Sequence, residues 1–91
     1  MAKRAHEECL EEAEYGSMMR QTQARILERL EDGRASAKVS QRRLAGVIGV
    51  NREAMRDRLS GRTQLKAHEL AALAAFLEID IREFFVVDPI R

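Results

Sequence analysis

Two short segments between residues 40 and 61 constrain this chain most. Ser40 stands before Gln41–Ile48 and Asn51 before Arg52–Ser60, both good N-cap residues, while Gly49 and Gly61 follow the two segments where a helix end needs a left-handed residue. The spacing predicts two helices of about eight residues joined by Gly49-Val50-Asn51. Such a tight pair has specific requirements. Ala45 must be small where the helices cross, and Gly49 must take a positive φ in the turn. Leu44, Ile48, Val50 and Met55 must be apolar to pin the pair to the rest of the domain. The sequence meets all six requirements.

The flanking segments read as further helices. Proline occurs once, at Pro89, and a chain rich in Ala, Leu, Glu and Arg with few breakers predicts an all-α fold. Residues 3–15 suggest a helix stopped by Gly16, with a thin apolar stripe of Ala5, Cys9, Leu10 and Ala13. Three readings stay open for it: a docked extra helix, a dimer arm or a frayed acidic tail. A stronger helix starts at Ser17, carries Met19, Ile26, Leu27 and Leu30 with Gln23 inside the stripe, and closes at Glu31-Asp32-Gly33. Arg34–Val39 then reads as a linker. After Arg62–Gln64, Leu65 is expected to tuck under a helix from Lys66 to Glu78 bearing Leu70, Leu73, Ala74 and Leu77. Asp80 to Glu83 has capping-box spacing and opens a final turn with Phe84 and Phe85. Either Phe84 closes the core and leaves Phe85 or Val87 for a dimer contact, or all are buried within the monomer. The expected organisation is an acidic arm over 1–16, a domain over 17–87 and an irregular tail over 88–91.

Ninety-one residues suffice for one domain with a modest core. The single cysteine, Cys9, excludes an internal disulfide, and with His6 and His68 far apart no zinc site is expected. Neither a metal nor another cofactor is called for. His68 reads as a solvent-facing residue. No apolar run approaches a membrane span, so the expectation is a protein of the bacterial cytosol or nucleoid. No nucleophile-base set, carboxylate pair or phosphate-binding glycine loop appears, which argues against an enzyme.

The net charge of +1 is uninformative, but its distribution is not. Residues 1–16 hold two basic side chains against five glutamates. Residues 34–66 hold nine, namely Arg34, Lys38, Arg42, Arg43, Arg52, Arg56, Arg58, Arg62 and Lys66, against only Glu53 and Asp57. A basic middle beside an acidic head fits a surface facing phosphates, although a solvated charged face has the same composition.

The stretch VSQRRLAGVIGVNREAMRDRLSGRTQLKAHELAALAAFLEIDIREFF, from Val39 to Phe85, resembles the lambda-repressor-like (Cro/repressor, Xre) helix-turn-helix family. Gln41, Leu44-Ala45, Gly49-Val50, Met55, Gly61 and the ELAALAAFL helix carry the resemblance, which extends from Ser17 to Phe85. It implies a compact five-helix bundle that binds a palindromic double-stranded DNA operator as a homodimer. It also implies that Gln41 contacts phosphate, that Arg52, Glu53 and Asp57 read base edges, and that Asn51 and Ser60 touch the DNA backbone. Arg42, Arg43, Arg58 and Arg62 join the expected backbone contacts as basic residues of the same stretch. Two departures stand out. Arg58 and Leu59 occupy positions where the family often has an apolar residue and a glutamate, so the apolar anchor has moved by one residue. Glu78 replaces the usual glycine, at a cost of about 1 kcal/mol if its φ is positive.

The helical wheel of residues 51–60 gives a reading face independently of the resemblance. Met55 and Leu59 fall together and must face inward, so Glu53, Arg56, Asp57 and Ser60 lie opposite, with Arg52 and Arg58 on the flanks. Arginine pairs with guanine and glutamate accepts from cytosine, so a G·C-containing site is expected. Ordinary surface ion pairs, such as Glu53 with Arg56, would explain the same residues without DNA. The expected function is therefore a Cro-like transcriptional regulator. The competing expectation is an antitoxin or adaptor that holds a partner protein through the same fold or the acidic head.

Overall fold

A computed structural model describes residues 11–85. Among them all regular structure is helical: α1 spans Glu12–Ala37, α2 Gln41–Ile48, α3 Arg52–Ser60 and α4 Ala67–Leu77, and a 3-10 turn covers Ile81–Phe85. Four α-helices and a 3-10 turn thus stand where five α-helices were expected. Most of the expected helix 3–15, and the tail beyond Phe85 with Val87, lie outside the described residues.

The largest departure from the sequence reading is α1, which is unbroken through both Gly16 and Gly33. Neither glycine needs a positive φ here, and the helix tolerates each at a cost of about 1 kcal/mol. Gly33 is buried inside the helix because the chain after α4 passes so close that a Cβ would collide with the end of Ile79. Its role is to make room. The expected linker Arg34–Val39 is consequently the last helical turn plus a tight cap. Arg34 pairs with Glu31 and donates from Nη1 to the Val39 carbonyl at 2.7 Å, fixing the exit of the chain.

All four α-helices end alike, with a left-handed residue followed by an N–H that reaches back five residues. Lys38, Gly49, Gly61 and Glu78 take φ values of 57°, 72°, 86° and 57°. The following N–H groups, of Val39, Val50, Arg62 and Ile79, donate to the carbonyls of Arg34, Ala45, Asp57 and Ala74. These bonds satisfy carbonyls that a helix end otherwise leaves open. Two of the four positions lack glycine. Ser40 and Asn51 cap as expected, accepting from the N–H groups of Arg43 at 3.0 Å and Ala54 at 2.7 Å. Asp80 does not form the expected capping box: its carboxylate accepts from the Arg82 N–H and pairs with the Arg82 guanidinium. Glu83, the would-be reciprocal partner, turns instead to Arg29 at 2.8 Å.

The core is aliphatic with one aromatic plug. Leu30, Leu44, Ala45, Met55, Leu70, Leu73, Ala74 and Phe84 are buried, and Phe84 is fully enclosed, while Phe85 stays half exposed. α2 packs on α3 and α4, and α1 packs on the 3-10 turn and α4. This arrangement presses α3 on the core along Met55 and Leu59 and leaves its opposite face outward.

Candidate nucleic-acid interface

The geometry of α3 follows from what fixes each end of it. Asn51 holds the N-terminus, Gly61 closes the C-terminus, and Met55 is completely buried between them. An eleven-residue stretch pinned at three points has no freedom to roll, so its outward face is determined. Arg52, Glu53, Arg56, Asp57, Ser60 and Arg62 line one shallow concavity of about 650 Å3 on that face. All four residues expected to read bases are thereby brought together with two expected to hold the backbone.

The side chains of Arg52, Glu53, Arg56 and Asp57 make no ion pair with one another among the described residues. The Glu53–Arg56 pairing that would account for them as a self-satisfied surface is absent from that set. Three arginines and two carboxylates therefore face one concavity with their hydrogen-bonding capacity open to solvent. Ser60 donates its hydroxyl to the Asp57 carbonyl at 3.0 Å, and Asn51 spends its Oδ1 on the helix cap. Asn51 keeps its amide donors.

The remaining predicted residues divide. Arg42 is exposed at the start of α2, beside the half-buried Gln41. Arg43 lies with its guanidinium 5.2 Å from the centroid of the Phe76 ring, a cation–π stacking that ties α2 to α4. Arg58 departs from expectation. Its Nε and Nη2 meet the two carboxylate oxygens of Glu69 at 3.0 and 3.2 Å, and its Nη1 donates to the Ala54 carbonyl at 3.2 Å. Only 12% of its side chain and 8% of that of Glu69 is exposed. Arg58 is thus committed inside the protein, as a clamp between α3 and α4, and leaves the set of backbone contacts.

Glu69 is the partner of Arg58 that sequence reasoning missed. It also accepts from the Lys66 N–H at 3.0 Å, closing the first turn of α4. The Arg58 guanidinium, followed by that backbone N–H, holds the Glu69 carboxyl below the usual range. A signal for it existed, since a charged residue at an otherwise apolar position demands a counter-charge on the facing helix.

No family model, curated protein or solved structure matches the chain. Among the described residues no helix is long and apolar enough to cross a membrane, and no three His, Cys, Asp or Glu side chains gather as metal ligands.

Proposed function

We propose that this chain is a sequence-specific binder of double-stranded DNA, a small transcriptional regulator and not an enzyme, in which α2 and α3 act as a helix-turn-helix. The single observation that carries the reading is the unpaired, convergent set of Arg52, Glu53, Arg56 and Asp57 on the outward face of a rigidly held short helix. An α-helix fits the major groove, where paired donors and acceptors of this kind distinguish all four base pairs. Arg62, Arg42 and the amide of Asn51 flank the face and are suited to phosphates. The resemblance to lambda-repressor-like proteins points the same way, and it implies two copies on a palindromic operator.

The test is direct. Binding to DNA flanking the chain's own gene is measured at two salt concentrations for wild type, Arg52→Ala and Arg56→Ala. Each substitution is expected to weaken the specific complex by about 1–3 kcal/mol with an unchanged melting temperature. If both variants bind like wild type, the reading face is misassigned. If wild type shows no sequence preference while a neighbouring gene's protein co-purifies with it, the adaptor reading takes its place.

A further inference from the structure

The N-terminal half of α1 leaves the core. Leu30 and Gly33 are buried, but further back on the same face the side chains emerge, and Met19 is 65% exposed. Met18, Met19, Thr22 and Ile26 form one wall of an apolar groove of about 370 Å3, and Leu65 and Leu70 form part of the other. A stretch of helix with little tertiary packing is marginal in water, as this one is among the described residues, and methionine adapts readily to an irregular apolar partner.

We propose that a second copy of this chain fills the groove, with the two α1 helices antiparallel and crossing at Met19. The argument is one of self-complementarity. Met19, Thr22 and Ile26 line the groove, and Glu12 and Tyr15 continue their stripe toward the start of the helix at spacings of three and four residues. Reversing a second copy about Met19 sets Met19 on Met19 and Tyr15 on Thr22. It also brings Glu11 of each copy alongside Arg29 of the other, because these two side chains lie on the same flank of the stripe and an antiparallel pair sets that flank against itself. A parallel pair would put this flank on opposite edges of the contact and leave Glu11 and Arg29 without each other. Arg29 meets Glu83 of its own chain at 2.8 Å while both remain partly exposed, and a guanidinium has donors left for a second carboxylate. Gly16, beside the crossing, adds no bulk there, and a Cβ at its position would meet the end of the Arg20 side chain at 3.5 Å.

This inference supplies the dimer that the operator reading calls for, and rests on that reading for its biological use, but it is tested without DNA. The full chain is weighed by sedimentation across a range of concentrations. Wild type is expected to dimerise, and Met19→Glu to raise the dimer dissociation constant by about tenfold or more, since a charge at the centre of an apolar contact is poorly tolerated. At concentrations low enough to dissociate the wild-type dimer, that variant should melt like wild type, because Met19 does not belong to the core. In a Cys9→Ser background, Met19→Cys should oxidise to a disulfide-linked dimer, whereas Glu12→Cys, which would cross-link only in a parallel pair, should not. A chain that stays monomeric, a Met19→Glu variant that associates like wild type, or a dimer abolished by Phe85→Glu instead would each overturn the proposal. A dimer with no DNA preference would leave it standing and remove the operator reading alone.

Discussion

A methyl group at Gly33 would collide with Cδ1 of Ile79, yet glycine inside a helix costs about 1 kcal/mol relative to alanine. The two effects oppose each other, and because the clashing atom is the free end of the half-buried Ile79 side chain, which can turn aside, Gly33→Ala is expected to change stability by less than about 1 kcal/mol. The clash resides in a single terminal carbon, so Ile79→Val, which deletes it, should make the same glycine substitution stabilising by about 1 kcal/mol. Denaturant melts of the two single variants and the double variant give the coupling energy. Additive effects would mean that the contact does not decide the position. Lys38 and Glu78 show the reverse arrangement, with side chains held at φ 57° where glycine would be unstrained. Their helix-end hydrogen bonds offset that strain.

At the scale of elements, the Arg58–Glu69 clamp decides how α3 is presented. Breaking a largely buried pair by removing one partner leaves the other unpaired, so Glu69→Ala is expected to cost about 2–4 kcal/mol. The pair also predicts a pH dependence with a definite sign. The folded state holds the Glu69 carboxyl below its ordinary value, so the unfolded chain takes up its proton first as pH falls. The stabilisation is fully present above the ordinary glutamate range of about 4.3 and disappears as pH drops through the lower folded value. Thermal melts from neutral to acid pH should therefore show a steeper acid loss in wild type than in Glu69→Gln. Equal slopes would exclude the clamp as the source. The elements bounded by local chemistry were legible in the sequence: Ser40, Gly49, Asn51 and Gly61 set the limits of α2 and α3 correctly. Those that depend on a distant neighbour were not. Gly33 looked like a stop because Ile79, which explains it, lies 46 positions away. Arg58 looked like a phosphate contact because the demand for Glu69 arises only when α3 and α4 pack. The outward face of α3 was legible because Met55 and Leu59 can point only one way, and the dimer stripe was obscured by the false break at Gly16.

On the scale of the whole molecule, if α3 reads DNA as proposed, the two carboxylates on an otherwise basic face bear on specificity more than on affinity. On that reading the exposed basic side chains between residues 34 and 66, from which Arg34 and Arg58 are withdrawn by their own ion pairs, would attract any duplex, and an attraction to phosphates carries no sequence information. Glu53 and Asp57 stand in the same concavity as Arg52, Arg56 and Arg62 and repel phosphate wherever no base group receives them. On the correct sequence a cytosine amino group donates to a carboxylate and the repulsion is compensated; on a wrong one it is not. Glu53→Ala is accordingly expected to tighten binding to an unrelated duplex while weakening the operator complex by about 1–3 kcal/mol. Asp57→Ala should act in the same direction. The slope of log affinity against log salt should stay near the wild-type value, because no cationic contact is added or removed. Titrations of operator and unrelated duplex at low and moderate salt separate the two outcomes. If both duplexes gain affinity alike, the carboxylates act only through bulk charge, and reading by α3 rests on its arginines alone.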